Sequence, residues 1–442
     1  MKHALLASLV SVVCWLPAGA LTAEQEAKLT ASDAAVAEYL ARSVAISGDT
    51  AVAGAPIDDH AGGTNAGSAY VFVRSGTGWS QQAKLTASDA AGGDNLGRSV
   101  AFSGDTAVVG APMDDFAGSE NAGSAYVFVR SGTGWSQQAK LTASDAAGGD
   151  WFGISVALSG DTAVVGAYTD YHAGGLAAGS AYVFVRSGTS WSEQAKLTAS
   201  DAAGGDSFGL SVALSGDTAV VGAPGDNHTG ETVSGSAYVF VRSGASWSEQ
   251  AKLTANDAAG EGTWVQAVAI SGDTAVMAAY DDSAPAAAPG SAYVFVRSGT
   301  SWSEQAKLTA SDAAAEDRFG TSLALSGDIA VVGAPRHDHV GGTNAGSAYV
   351  FVRGGTSWSE QAKLTGSDAA AEDRFGISVA LSGDTAVAGA PNADHVAPDA
   401  GAAYVFRLYD DDVPATGVVG TVVLVLAMLG SGLYIARRRP AS

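Results

Sequence analysis

Residues 152–167 read Phe-Gly-Ile-Ser-Val-Ala-Leu-Ser-Gly-Asp-Thr-Ala-Val-Val-Gly-Ala. Two apolar runs, Ile154 to Leu158 and Thr162 to Ala167, flank Ser159-Gly160-Asp161. A Gly-Asp pair between such runs signals a β-hairpin, because glycine accepts the positive φ a two-residue turn needs. Downstream, Ser180 to Arg186 reads as a third strand, with Tyr182 and Phe184 on one face and Ala181 and Val183 on the other. Trp191 to Thr198 reads as a fourth, more polar strand containing Gln194 and Lys196. The second run is apolar on both faces and the fourth is not. This gradient predicts a four-stranded blade whose inner strands are sandwiched between neighbours and whose outer strand meets water.

The unit recurs along the chain. Ser-Gly-Asp returns at Asp49, Asp105, Asp161, Asp217, Asp273, Asp328 and Asp384, at intervals of 56 residues with a single 55. A period of that size belongs to propellers and arrays. The fourth-strand motif Ala-Lys-Leu-Thr also occurs seven times, at Lys28, Lys84, Lys140, Lys196, Lys252, Lys307 and Lys363. The repeat region opens on a fourth-type strand, Glu24 to Thr30, and closes on a third-type strand, Tyr404 to Tyr409. A ring resolves both fragments if the N-terminal strand completes the last blade; an open solenoid leaves each without a partner. The expected fold is all-β: a seven-bladed β-propeller of four-stranded antiparallel blades over residues 21–409.

Phe-Gly precedes the first strand at Phe152-Gly153, Phe208-Gly209, Phe319-Gly320 and Phe375-Gly376. Gly-Ala-Pro ends the second strand at Gly54-Ala55-Pro56, Gly110-Ala111-Pro112, Gly222-Ala223-Pro224, Gly333-Ala334-Pro335 and Gly389-Ala390-Pro391. On these motifs the chain resembles FG-GAP repeat proteins and is similar to the propeller of integrin α chains. Two units drift: the fifth has Trp264-Val265 and Ala278-Ala279-Tyr280, the third Gly166-Ala167-Tyr168. The resemblance implies a binding function and places the ligand on the face of the four-to-one and two-to-three loops. Integrin-type calcium loops are not implied, because here the turn between strands one and two is only Ser-Gly-Asp, too short to supply six to eight oxygens. The turn aspartates are expected to be structural, bonding turn amides.

Both ends read as targeting segments. Lys2 and His3, an apolar run from Ala4 to Leu16 and Ala18-Gly19-Ala20 form a secretory signal over residues 1–20. It contains the only cysteine, Cys14, so the exported remainder has no disulfide. Residues 410–417 form a linker, and Val413 to Gly417 resembles the sortase motif LPxTG with Val for Leu. The uncharged run 418–436 reaches roughly 28 Å as a helix, enough to span a bilayer. Arg437-Arg438-Arg439, within the tail 437–442, would mark its cytoplasmic end. The expectation is a cell-surface protein held by one C-terminal transmembrane helix.

The net charge of −22 argues against nucleic acid and anionic lipid surfaces. It is concentrated on one side. The four-to-one loops hold 16 acids and the two-to-three loops 13, against Arg42, Arg98, Arg318, Arg336 and Arg374. The opposite face is expected to pair the seven turn aspartates with Arg74, Arg130, Arg186, Arg242, Arg297, Arg353 and Arg407. Apart from His3, every histidine falls in a two-to-three loop, including His337. The candidate ligand-face residues are therefore Asp58, Asp59, His60, Asp114, Asp115, Asp170, His172, Asp226, His228, Asp338, His339, Asp394 and His395. Carboxylate beside imidazole suits a divalent cation on this face. The same residues also read as ordinary loop residues copied by duplication. No single loop holds a closed ligand set, so no cofactor is assigned.

No asymmetric Ser, His and Asp set suggests catalysis. Trp79, Trp135, Trp191, Trp247, Trp302 and Trp358 open the fourth strands and are expected to pack rather than bind sugars. The leading expectation is a monomeric adhesion or binding module for an extracellular protein or glycan, basic if it is a protein. A propeller-based lyase or hydrolase and a purely structural envelope protein are the alternatives. A unique, non-repeated polar cluster in the central channel would favour the enzyme.

Overall fold

The computed structural model describes residues 21–227, 235–257, 264–280 and 289–410. The proposed signal peptide, linker and membrane span at 411–442 lie outside them. Among the described residues no helix is long and apolar enough to cross a membrane.

The described chain forms seven four-stranded antiparallel sheets. In blade three the strands are Ser155–Ser159, Thr162–Ala167, Ser180–Ser187 and Ser190–Leu197. Ser159 pairs with Thr162, so Gly160 and Asp161 are the whole turn, and Gly160 has φ +57°. The burial gradient follows the sequence: Thr162–Ala167 is buried throughout, and Ser190–Leu197 is mostly half-exposed.

The ring closes through the N-terminus. Leu21–Leu29 pairs with Ala402–Asp410 as the outer strand of blade seven, beside Thr385–Ala390 and Ser378–Ser382. Seven apolar clusters lie between adjacent blades. One of them joins Leu29, Ala403 and Val405 of blade seven to Ile46, Tyr70 and Phe72 of blade one. At the interface of blades two and three, Phe152 packs edge-on against Tyr182 at 5.5 Å and Phe184 at 5.9 Å. Such pairs add about 0.5–1.5 kcal/mol beyond area burial.

The paired glycines of the repeat hold neighbouring blades together. A Cβ on Gly110 would lie 2.0 Å from the carbonyl oxygen of Gly153 in the next blade, and one on Gly166 would lie 1.9 Å from that of Gly209. Gly153 and Gly209 both have φ +94°. Ser99 Oγ donates to the Gly153 carbonyl at 2.8 Å, and Ser155 Oγ to that of Gly209 at 2.7 Å. Between blades seven and one, Ser378 Oγ donates to the Ala41 carbonyl at 2.8 Å. The drift of the fifth unit has a physical form here. Its first strand, Trp264–Ser271, carries a bulge between Val265 and Ala267, and Val265 Cγ1 lies 3.5 Å from where a Cβ on Gly222 would stand.

The tryptophans serve packing, as expected. Five donate through Nε1 to a glutamine of the preceding blade's outer strand at 2.9–3.1 Å, as Trp135 does to Gln82. Each of the six stacks under an arginine, Trp135 under Arg130 at 5.7 Å. The turn aspartates are structural, but their carboxylates bond arginine rather than turn amides. Six accept from the arginine Nε at 2.6–2.7 Å. The seventh pair, Asp384 and Arg407, is looser at 3.9 Å.

Removing residues 21–29 leaves Ala402–Asp410 as an open strand edge. The truncated protein should melt lower by more than about 5 °C and self-associate through that edge. Thermal melts with size-exclusion light scattering test this; an unchanged melting temperature in a monomer would contradict the closure.

Candidate binding face

The four-to-one and two-to-three loops share one face of the ring. The lysine near the end of each outer strand reaches into it. All seven, Lys28, Lys84, Lys140, Lys196, Lys252, Lys307 and Lys363, place Nζ 2.6–2.7 Å from an aspartate of a four-to-one loop. In blades one to four the same ammonium lies 2.8–2.9 Å from a second aspartate: Asp58, Asp114, Asp170 or Asp226. Around Asp114, Ser124 Oγ donates at 2.5 Å and Tyr126 Oη at 3.2 Å, and Lys140 sits over the Tyr126 ring at 5.2 Å.

These four aspartates are buried. They are internal counter-ions to the lysines and lie beneath the surface of the face to which the sequence reading assigned them. Their burial also explains the divergent blades. In blade six His337 takes the aspartate's place, bonding Ser347 Oγ and Lys363 Nζ at 3.2 Å each. In blade seven the place belongs to Ala393, and Lys28 keeps Asp368. The seven lysines add positive charge to a face to which the sequence reading gave five arginines only, so its acidity is milder than the loops alone suggest.

The second aspartate of each pair points outward and staples its own loop. Asp59, Asp115, Asp338 and Asp394 are exposed, and each accepts a backbone N–H five or six residues on at 2.7–2.9 Å. His60, His172 and His339 do the same from the loop interior. The Nδ1 atom of His60 accepts from Gly62 N at 3.0 Å, so Nε2 carries the proton and donates to the Gly67 carbonyl at 2.9 Å. His172 and His339 repeat this. Burial holds the His337 and His395 imidazoles below their usual range, with Lys363 and Lys28 respectively adding to the effect. His228 lies outside the described residues. Among the described residues no three His, Cys, Asp or Glu side chains gather as a metal would require.

Sequence reasoning placed five arginines on this face without bringing them together. The position just before the first strand, or in blade five the equivalent position in the bulge of that strand, is occupied around the ring by Arg42, Arg98, Ile154, Leu210, Gln266, Thr321 and Ile377. All seven line one cavity of 260 Å³, which must therefore lie on the ring axis. Arg318, Pro335, Arg336 and Arg374 complete its wall. The arginines come from blades six, seven, one and two, a continuous arc; Ile154 and Leu210 face them from blades three and four. No local motif marks this convergence, because the contributing positions are about 56 residues apart.

The carboxylates of the face fall into two sets. Burial pushes Asp94, Asp150, Asp206, Asp317 and Asp373 above the ordinary carboxylate range. Burial also works against Asp89, Asp145 and Asp201, but lysine and tyrosine bonds outweigh it and hold them below that range. The first set destabilises the fold at neutral pH and ceases to do so as it takes up protons; the second contributes stability that is lost only below the ordinary range. Relief of self-repulsion acts with the first set. His337 and His395, held neutral in the fold, oppose this while pH passes the ordinary histidine range, so the melting temperature should rise chiefly as pH falls from about 6 towards about 4, then drop. Thermal melts across pH 3–8 check this, and a monotonic fall from neutrality would contradict it.

No curated protein matches the chain. The FG-GAP repeat model matches seven times, over residues 23–72, 79–128, 135–184, 191–240, 247–295, 302–351 and 358–406. Each match begins in one outer strand and runs through three strands of the next blade, the same staggering that lets the N-terminal strand close blade seven. With its Phe-Gly and Gly-Ala-Pro segments meeting at the blade interfaces, the chain belongs to the FG-GAP repeat family.

Proposed function

We propose that this protein is a cell-surface binding or adhesion module that meets an extracellular protein or glycan with its loop face. The distribution of exposed apolar side chains carries the reading. Among the described residues the exposed large hydrophobics are Val36, Tyr171, Leu176, Val340 and Val396. All five lie in loops of this face and none on the Asp–Arg turn face. Tyr171 and Leu176 share one loop, at 70% and 76% exposure. Val340, Val396 and Val36 follow one another across blades six, seven and one, where Ala37 N donates to the Pro398 carbonyl at 2.9 Å. Apolar tips set among acidic loops suit a partner with a mixed apolar and basic surface.

Binding is favoured over catalysis by the chemistry of the axial cavity. Its wall combines arginines with aliphatic residues, Gln266 and Thr321; among the described residues no carboxylate, imidazole or thiol that could serve as a general acid or base lines it. The unique central cluster that would have favoured an enzyme is thus present in position but holds groups that bind rather than transfer protons.

The direction of the last strand supports an orientation. Leu21 pairs with Asp410, so both ends of the described chain leave at the turn face. An anchor at 418–436 would then hold the turn face towards the membrane and present the loops outward.

A panel of matrix proteins and glycans against the soluble propeller, residues 21–412, tests the binding role. The paired changes Tyr171→Ser with Leu176→Ser, or Val340→Ser with Val396→Ser, should weaken a binding partner at least tenfold, while Thr77→Glu on the turn face should not. Partners indifferent to every loop change would contradict the reading. On whole cells, a bulky impermeant thiol reagent should label Val340→Cys much faster than Thr77→Cys; equal rates would contradict the orientation.

A further inference from the structure

We propose that the axial mouth binds a small oxyanion-bearing ligand about the size of one sugar ring, with its anionic group on the arginine arc and its less polar side against Ile154 and Leu210. The proposal concerns the centre of the loop face and stands independently of what the apolar loop tips bind.

Three observations converge on it. First, the repeat breaks its symmetry at the mouth. The outer-strand lysine is the same in all seven units and the turn aspartate likewise, but the seven residues at the mouth are of five kinds. All the basic residues of the wall fall on the arc of blades six, seven, one and two, where Ile377 is the one aliphatic member of the mouth ring, while blades three and four contribute only Ile154 and Leu210, which gives the cavity a polarity that a simple copy of one blade could not have.

Second, the mouth gathers cations at a cost. Guanidinium groups drawn together repel one another, and on a protein of net charge −22 there is no shortage of carboxylates to quench them. On the turn face the arginines are quenched, six of them with Nε 2.6–2.7 Å from an aspartate. At the mouth, among the described residues, no carboxylate lies within 4 Å of Arg98 or Arg336, and Arg374 has only Glu372 at 3.9 Å. Burial lowers the pKa of Arg98, so part of this charge is desolvated. An anion with planar or tetrahedral oxygens, held by guanidinium forks, relieves both the repulsion and the desolvation.

Third, size and surroundings limit the ligand. Beside the cavity of 260 Å³ lies a second of 420 Å³ that shares Arg42, Arg98, Arg318, Arg374 and Ile377 with it and has Tyr39, Asn95 and Asn392 as polar partners for hydroxyl groups. The rim is acidic. A long polyanion would have to lie across those loops, whereas a ligand with one or two charges is drawn inward to the basic centre.

Calorimetric titration of the soluble propeller at low salt tests this, with glucuronate, glucose, inorganic phosphate and a sulfated polysaccharide as probes. Glucuronate should bind at least tenfold more tightly than glucose, and more tightly than phosphate because the ring meets the aliphatic arc. Arg98→Gln with Arg374→Gln should weaken glucuronate at least about tenfold, the scale of losing a charged hydrogen bond, without lowering the melting temperature of the free protein. Gln266→Glu, which places an acid at the mouth and leaves the arginines intact, should do the same and serves if the double variant does not fold. Val340→Ser with Val396→Ser should leave glucuronate binding unchanged, which separates this site from the loop tips. No binding of glucuronate at tens of millimolar would overturn the proposal, as would affinity indifferent to the arginine changes. Phosphate binding as tightly as glucuronate would overturn the sugar-sized ligand, and tighter binding of the polysaccharide would overturn the limit on size.

Discussion

The close approach of one blade's backbone to the next at paired glycines is the constraint from which the rest of the molecule follows. At Gly54, Gly110, Gly166, Gly333 and Gly389 a Cβ would lie 1.9–2.1 Å from a carbonyl oxygen of the following blade. No side chain fits there. Backbones that approach too closely for any Cβ, fixed further by the serine-to-carbonyl bond, set how tightly the first strands gather about the axis, and so the width of the axial mouth. The interface before blade five departs from the rule, with Val265 over Gly222, and the one after it substitutes Ala278, whose Cβ lies 3.1 Å from the Cβ position of Gly320. A propeller tolerates a wider joint at one blade because the others still define the circle.

Charge is organised on the same radial plan. On the turn face each Asp–Arg pair is local, repeated and half-exposed, and such pairs contribute little individually. On the loop face the lysine of each outer strand is a bridge between an exposed aspartate of one loop and, in four blades, a buried aspartate of another. The buried member gives that bridge its weight. Removing the lysine would leave a desolvated carboxylate, a much larger cost than the net worth of the pair. His337 and Ala393 show the two tolerated exits: replace the carboxylate with a neutral polar group that still meets the lysine, or with nothing to solvate.

The fold was largely legible in the sequence because its determinants are local and repeated. Alternation in Ser180 to Arg186, the Gly160-Asp161 turn and the 56-residue period each report on a short stretch, and seven copies make each signal unambiguous. Even the closing strand could be read, from strand types at the two ends. The site was less legible for two physical reasons. In Asp58-Asp59 and Asp114-Asp115 the two carboxylates look alike in sequence, yet one is buried against lysine and the other caps a loop, because neighbouring residues point to opposite sides of the backbone. The lysines belong to outer strands, and only the length of the side chain carries their charge across to the loops.

The axial arginines illustrate the second kind of difficulty. Arg42 and Arg374 are far apart in the chain and neither sits in a recognisable motif. Their meeting is a property of ring closure: once Leu21–Leu29 joins blade seven, blades one and seven become neighbours and four blades' arginines share one wall. Duplication by itself produces seven equal positions around an axis, which can line a channel but cannot orient an asymmetric ligand. Divergence at that ring, with Arg42 and Arg98 against Ile154 and Leu210, together with Arg318, Arg336 and Arg374 from the adjoining loops, converts a symmetric pore mouth into a directional cavity. It does so without touching the glycine contacts or the ion pairs that hold the blades, because the residue before the first strand projects to the axis and bears no part of the interface. The scaffold and the site can therefore vary independently. That separation is why a chain so repetitive elsewhere can afford its variety there.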